Sequence, residues 1–307
     1  MTNSVTSLDL PNLDSARTVK LSALIWKRFK RHRLALLSLV VLVVMTVLVL
    51  AAPFTGYSAT EQNPKNEFAD PTIEHWFGTD ELGRDVFTRI LYGGRISIAV
   101  GIFSTLLALA VGVLVGALSG FYGGWVDNLL MRITDTFLIL PVVFVLILLS
   151  SLLRELPALA TFRSSIWLVI FAISAFAWML PARITRSLFL VLREREFVSA
   201  ARALGATDAR LIFQRILPNS LGPLLVSATL QMAYAIITES GLSYLGFGIQ
   251  PPTPSWGNIL ESAQVHVYRS PWLAVFPGLM IFITVMAINF IGDGLRDAFD
   301  PYVVHEK

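Results

Sequence analysis

The sequence predicts an all-α protein that crosses a membrane with six helices. Three observations predict it: an apolar composition, six long runs without a charged residue, and an uneven distribution of Lys and Arg. Of 307 residues, 55% are hydrophobic and 15% are charged, whereas soluble domains carry about 25% charged residues. This composition excludes an ordinary water-soluble enzyme and a disordered chain. The absence of cysteine excludes a disulfide-rich secreted domain.

The six uncharged runs are the predicted transmembrane helices. Each contains 18 to 27 residues, and about 20 helical residues cross a hydrocarbon core. The runs are Leu34–Ala52, Ile96–Tyr122, Thr136–Leu153, Ser164–Ala182, Ile216–Thr238 and Ser270–Gly292. The first is interpreted as a retained anchor because its apolar core is too long for a signal peptide. A seventh run, Ser240–Leu260, holds seven Gly and Pro residues and is predicted to be a loop outside the bilayer or packed within the protein.

The distribution of Lys and Arg predicts the orientation. With the N-terminus in the cytoplasm, the inner segments hold 17 basic residues and the outer segments hold 7. This asymmetry places both termini inside, and it argues against a nucleic-acid partner because the basic residues flank the spans. A basic cluster precedes the first span and consists of Lys27, Arg28, Lys30, Arg31 and Arg33. The cluster indicates either a simple positive-inside anchor or an amphipathic helix in contact with membrane lipids.

The predicted organisation contains no separate soluble domain. It consists of a cytoplasmic N-terminal segment (1–33), a first transmembrane helix (34–52), an external loop (53–95), a five-helix core (96–292) and a cytoplasmic tail (293–307). The external loop is too short for a substantial core of its own. Within it, Asp85 is predicted to begin a short helix and to pair weakly with Arg89.

No catalytic, cofactor-binding or metal site is predicted. The sequence has neither the zinc motif H-E-x-x-H nor the nucleophile elbow G-x-S-x-G, and Asp80, Glu81 and Asp85 lack the spacing of a calcium loop. The uncharged runs disfavour a transporter driven by protons or sodium, and no phosphate-binding P-loop motif is present. The alternatives are an intramembrane enzyme and an ion-driven transporter. Transport that is lost when ATP is removed, while the membrane potential persists, would distinguish an ATP-driven importer from both.

Small residues and prolines within the spans indicate helix contacts and bends. Gly112 and Gly116 are one helical turn apart, a spacing that serves either internal packing or a subunit interface. Pro141, Pro181 and Pro277 lie in or near spans and predict either bends toward a cavity or tolerated kinks.

The segment between the fourth and fifth spans, residues 193–218, is the candidate functional site and is called the coupling segment below. It is too charged to cross a membrane and too apolar for a plain linker. Its residues Phe197, Ala200, Ala201 and Leu204 recur at helical spacing, which predicts a helix with one apolar face. That helix either docks a partner, whose backbone the small alanines allow to approach, or covers the inner ends of the bundle.

The rest of the coupling segment predicts a turn and a second helix. Gly205 ends the first helix because glycine tolerates the left-handed conformation. Thr207 or Asp208 then caps a second short helix, which Pro218 is predicted to end before the fifth span.

The coupling segment resembles the EAA loop of ABC importer permeases. The order A-A-x-x-x-G, with Pro thirteen residues after the Gly, is formed here by Ala200, Ala201, Gly205 and Pro218, while Ser199 stands where the family has its leading Glu. In that family the loop forms a coupling helix that docks into a groove of the ATPase subunit. The resemblance therefore implies an ATPase-docking role for these five residues, without an ion pair from Ser199.

Four further stretches are similar to the C-type permease of dipeptide, oligopeptide and nickel importers, so that the resemblance covers residues 75–301. They are GTDELGRDVFTRILYGGRIS (78–97), YGGWVDNLLMRITD (122–135), LSYLGFGIQPPTPSWG (242–257) and NFIGDGLRDAFDP (289–301). The resemblance implies a type I ABC importer permease fold in a bacterial or archaeal cytoplasmic membrane. It also implies a non-catalytic subunit that forms half of a pathway for peptides or related small solutes. The implied partners are a B-type permease, two ATP-hydrolysing subunits and an external solute-binding protein.

Overall fold

The computed structural model describes residues 21–155 and 166–300, and most of these residues are helical. The helices are α1 (Leu21–Phe29), α2 (Arg33–Leu50), α3 (Val86–Tyr122), α4 (Gly124–Ile139), α5 (Val142–Glu155), α6 (Ile166–Ala177), α7 (Met179–Leu192), α8 (Glu196–Ala203), α9 (Asp208–Arg210), α10 (Leu217–Tyr244), α11 (Trp256–His266) and α12 (Trp272–Phe299). Within the described residues the β-structure is limited to one isolated bridge, between Thr79 and Asp85. The all-α prediction is confirmed.

Four continuous helices are long and apolar enough to cross a membrane, and two bent pairs bring the number to six. The continuous helices are α2, α3, α12 and the unbroken stretch Asp208–Tyr244; the pairs are α4 with α5 and α6 with α7. The predicted third span, Thr136–Leu153, is not one helix, because α4 and α5 meet at Pro141 with a bend of 90°. Proline lacks the N–H that would continue the helix there. The predicted outer segment 154–163 lies largely outside the described residues.

The other two span prolines behave differently from Pro141. Pro181 lies in the first turn of α7, just after a bend of 43° between α6 and α7. Pro277 lies inside α12, which continues through it to Phe299. That helix therefore includes the first seven residues of the predicted tail, 293–307.

Helix α3 begins ten residues before the predicted start of the second span. Asp85 caps it as predicted, since its Oδ1 accepts a hydrogen bond from the Thr88 N–H at 2.7 Å. The short helix expected there is therefore the first part of a 37-residue helix. The predicted pair between Asp85 and Arg89 is wrong. Arg89 Nη1 lies 2.9 Å from Asp80 Oδ2, and Asp85 Oδ2 lies 2.9 Å from Nδ1 of His75.

A glycine seam joins α3 to α7 at the centre of the bundle. Gly112, Gly116 and Gly120 lie against the α7 backbone so closely that a Cβ atom on Gly116 would be 2.2 Å from the carbonyl oxygen of Ala182. Added Cβ atoms on the other two glycines would meet backbone oxygens at 2.6 and 2.7 Å. The spacing of Gly112 and Gly116 therefore serves internal packing, one of its two predicted roles.

The 78–97 and 242–257 motifs meet at one end of the bundle. Trp256 is almost fully buried, and its Nε1–H donates to the Ile90 carbonyl at 3.0 Å. The uncharged run Ser240–Leu260 is less of a loop than predicted, since α10 extends to Tyr244 and α11 begins at Trp256. The connection between them packs within the protein through buried Ile249.

A buried carboxyl group holds this end together. Glu239 is fully buried in α10 and accepts hydrogen bonds from the hydroxyls of Ser97 at 2.9 Å and Ser243 at 2.7 Å. The predicted span ended at Thr238, whereas the helix continues beyond it. The helix as it is built therefore includes one ionisable side chain, directly after the predicted uncharged run.

The first helix packs on the last one at the other end. Phe29 and Ala35 form a small core with Ala298, and Arg28 Nη1 donates to the Asp300 carbonyl at 2.9 Å. The other basic residues of the cluster are exposed: Lys27, Lys30, Arg31 and Arg33.

Candidate functional site

The inner face of α8 packs on the end of the bundle. Val198 and Ala201 are the buried residues of this helix. They belong to a core cluster with residues of α3, α7 and the following turn, namely Ala117, Phe121, Phe189, Leu211, Ile212 and Ile216. The coupling segment therefore covers the helix ends, as one of the two interpretations expected, and its position is set by this core.

The outer face of α8 is also apolar, and it is open. Leu204 has 89% of its surface exposed and Phe197 has 41%; Ala200 and Ser199 are exposed as well. The prediction grouped Ala201 with Phe197, Ala200 and Leu204 on one face, and this is wrong because Ala201 turns inward with Val198. The short helix thus has two apolar sides, and the outer one is exposed.

The turn after α8 has the predicted backbone conformation and helix cap. Gly205 has a φ of +83°, a value that favours glycine. Its N–H donates to the Arg202 carbonyl at 3.0 Å, and the Ala206 N–H donates to the Ala201 carbonyl at 3.1 Å. These two bonds close the helix in a Schellman motif. Thr207 caps α9 as predicted by accepting a hydrogen bond from the Arg210 N–H.

Pro218 does not end the second helix. Residues 208–244 form one uninterrupted helix, and Pro218 is the second residue of α10 within it. The preceding turn, Leu211–Ile216, is π-helical. This wider turn directly precedes Pro218, which has no backbone N–H to donate to the helical hydrogen bonds. The prediction of a stop is therefore wrong, and the coupling segment is directly continuous with the fifth span.

Hydrogen bonds from Arg193 hold the start of the coupling segment against α3. Its Nη1 donates to the carbonyls of Gly120 and Phe121 at 2.9 and 3.3 Å. These carbonyls lie in the last turn of α3, where helix oxygens lack intrahelical partners. Sequence reasoning missed this role, although a long basic side chain directly after a helix end was a signal for it.

A second contact ties α4 to the same place. Asp127, in the first turn of α4, accepts hydrogen bonds from Arg186 Nε at 2.5 Å and Arg186 Nη2 at 2.6 Å. The Ser119 hydroxyl also donates to Asp127. The 122–135 motif therefore packs the ends of α3, α4 and α7 together.

The acidic cluster of the external loop is engaged by arginine. Asp80 Oδ2 accepts from Arg84 Nε at 2.7 Å and also contacts Arg89, while Glu81 Oε1 accepts from Arg84 Nη2 at 2.8 Å. Across residues 21–155 and 166–300, no three His, Cys, Asp or Glu side chains are grouped as a metal ion would require. The arrangement stabilises the loop by ion pairing.

Two family models match the sequence. Residues 112–305 match the family described as "Binding-protein-dependent transport system inner membrane component". This range contains the whole coupling segment. The chain belongs to this family. Residues 20–71 match the "N-terminal TM domain of oligopeptide transport permease C". The chain is thus a permease subunit of a binding-protein-dependent ABC importer, similar to the C-type permeases.

Curated relatives cover nearly the full length. The dipeptide transport system permease protein DppC of Alkalihalophilus pseudofirmus is 40% identical over 90% of this chain and 88% of its own. The oligopeptide transport system permease protein OppC of Bacillus subtilis is 39% identical over 94% of this chain and 93% of its own. The glutathione transport system permease protein GsiD of Escherichia coli is 39% identical over 91% and 89%.

A solved structure has the same fold. A chain of the MetNI methionine ABC transporter, in an inward-facing conformation, aligns with a TM-score of 0.55 and 18% identity, over 69% of this chain and 97% of its own. At this identity the likeness concerns the fold alone.

Proposed function

We propose that this chain pairs with a different, B-type permease in an ATP-driven importer, and that its coupling segment docks into an ATPase subunit. One observation carries the proposal: the outer face of α8 presents Phe197 and Leu204 to solvent, while its inner face holds the helix on the bundle. Ser199, Ala200, Ala201, Gly205 and Pro218 form or support this surface. Ala201 contributes indirectly because it packs α8 on the bundle. Pro218 contributes indirectly because it lies in α10, which continues from the coupling segment.

The energy for transport enters through partner proteins. Two ATP-binding subunits hydrolyse ATP on the cytoplasmic side, and an extracytoplasmic solute-binding protein delivers the cargo. The relatives support a peptide-like cargo, since they are dipeptide, oligopeptide and glutathione permeases. The proposal includes nickel chelates because of the sequence resemblance.

The coupling segment acts as a lever in this proposal. ATP binding draws the two ATPase subunits together and displaces α8 with them. Because residues 208–244 are one helix, the displacement passes directly into the fifth span. The differential contact energy of the ATPases with the two states of the permease shifts the pathway from one open side to the other.

The proposed orientation has both termini and the coupling segment in the cytoplasm of a bacterial or archaeal cell. The basic residues of α1 then lie at the lipid headgroups, with Trp26 exposed beside them and Lys30 Nζ 5.1 Å from its ring centre. Cysteine labelling checks the orientation, because the native chain contains no cysteine. Labelling of Ser199→Cys by an impermeant reagent outside intact cells would contradict it.

Docking is tested at Ala200, which is exposed on the outer face. Ala200→Arg places a long charged side chain where close approach is required. We expect it to abolish ATPase co-purification and ATP-dependent uptake while the chain still inserts. Ala200→Ser is the matched control, since it keeps the small size. Normal ATPase binding and uptake by Ala200→Arg, at matched expression, would refute the docking role.

The need for a second permease has its own test. The chain is co-expressed with the ATPases and the binding protein, with and without the B-type partner. We expect uptake only in the complete system. ATP-dependent uptake at an equal rate without the partner would show that a homodimer suffices.

A further inference from the structure

An ion pair joins α4 to α7 without being covered by the rest of the chain. Arg183 Nη2 contacts Asp135 Oδ1, and the two side chains remain 50% and 55% exposed. The other α4–α7 pair, Arg186 with Asp127, is more enclosed at 35% and 14% and also engages Ser119. The pair of Arg186 with Asp127 is therefore a structural contact, whereas the side chains of Asp135 and Arg183 are half-exposed.

This open pair lies within the membrane-spanning part of the bundle. Arg183 is nine residues from the end of α7, which is about 14 Å at 1.5 Å per residue. Asp135 is eleven residues from the start of α4, which is about 16 Å. The carbonyl of Ala182 packs on Gly116, inside the uncharged run of α3. Gly116 is six residues, or about 9 Å, from the end of α3, so the pair lies within the membrane-spanning part of the bundle, on the side of the coupling segment.

A half-exposed ion pair at this depth cannot face lipid without a large cost, and ionisable residues inside membranes face the bundle interior or water. Pairs of this kind mark the paths of solutes and ions. The exposed neighbours on the same faces are Leu180, three residues before Arg183, and Ile139, four residues after Asp135.

We propose that Asp135 and Arg183 line the water-filled translocation path and bind the charged ends of a zwitterionic, peptide-like cargo. Arg183 takes the cargo carboxylate in a charge-assisted hydrogen bond, and Asp135 takes the ammonium group. The empty site is neutral because the two residues pair with each other. The loaded site is also neutral, so neither state leaves a charge uncompensated within the membrane-spanning part of the bundle. The inference rests on the proposed function.

The first arm of the test asks whether the pair lies in water. Leu180→Cys and Ile139→Cys keep both charges, and the native chain has no cysteine. They are labelled in the complete importer, built with cysteine-free partners, using a charged impermeant thiol reagent in several nucleotide states. We expect both to react and Val44→Cys, exposed on α2, to stay unlabelled. No reaction at either position in any state would place the pair in a subunit interface and overturn the proposal.

The second arm asks whether the pair binds cargo ends. Labelling of Leu180→Cys is measured with increasing trialanine, which has both charged ends, and with trialanine amide, which lacks the carboxylate. We expect trialanine to protect, and Arg183→Gln to weaken that protection about tenfold, the effect of losing one hydrogen bond to a charged group. Protection by the amide should not fall in Arg183→Gln, because Asp135 keeps its charge and no longer pairs with Arg183.

Two results of the second arm contradict the proposal. Absence of protection by trialanine in the Leu180→Cys parent would exclude cargo binding there. An equal loss of protection for both peptides would assign Arg183 a structural role. Neither readout requires ATP-driven uptake, so failure of the unlabelled importer to transport would contradict the proposed function separately.

Discussion

Gly116→Ala tests the glycine seam with the smallest possible perturbation. The added Cβ would lie 2.2 Å from the Ala182 carbonyl oxygen and 2.6 Å from Thr185 Cβ, so α7 must move away by roughly 1 Å to restore ordinary contact distances. Overpacking costs about 1–3 kcal/mol. We expect the upper value because the crowded atom belongs to the helix backbone, which cannot rotate away as a side chain can. Alanine recovers about 1 kcal/mol of helix propensity over glycine. We expect a net loss of about 2 kcal/mol.

The assay is thermal unfolding of the purified chain in detergent, followed by the loss of the folded peak in size-exclusion chromatography. A loss of about 2 kcal/mol lowers the midpoint by roughly 3 °C in a chain of 307 residues, at about 2.1 cal/mol/K of unfolding entropy per residue. Gly278→Ala is the matched control, since an added Cβ on Gly278, in the second turn of α12, meets nothing within 4 Å. Equal midpoints for Gly116→Ala and the parent, or an equal fall in the control, would refute the seam.

Three further predictions concern single contacts. Gly205→Pro cannot adopt the φ of +83° at this turn; we expect normal insertion with loss of ATPase co-purification, and retained co-purification would contradict the role of the turn. Arg193→Ala removes the donor to two α3 carbonyls and should cost about 1–3 kcal/mol in thermal unfolding; an unchanged midpoint would argue against this anchor. Glu239→Leu leaves two buried serine hydroxyls without their acceptor and should cost about 2 kcal/mol or more, measured by protease resistance; unchanged resistance would refute it.

The spans could be predicted because their lengths follow from the thickness of a bilayer, but their ends could not. Helix α3 starts early because Asp85 caps it and buried Trp256 packs on its first turns. Trp256 is far from Asp85 in sequence, so no local pattern reveals that contact. The two prolines show that helix ends cannot be read from local sequence alone. The helix breaks at Pro141, whereas it continues through Pro218.

The turn of the coupling segment was predictable because Gly205 and Thr207 act through their own backbone neighbours. The buried side of α8 was not, since Val198 and Phe197 are both apolar and α3 and α7 decide which of them is covered. The contact of Asp135 with Arg183 joins residues 48 positions apart, and only the packing of α4 beside α7 brings them together.

The central claim is that the outer face of α8 touches an ATPase subunit, and site-directed crosslinking tests it most directly. Leu204→Cys is placed in the otherwise cysteine-free chain and treated in native membranes with a short thiol-to-amine crosslinker. Exposed Tyr268→Cys, beyond α11, is the control at the opposite end of the bundle. We expect a crosslinked product containing the ATPase from Leu204→Cys and none from Tyr268→Cys. An active importer that yields no ATPase product from Leu204→Cys would contradict it.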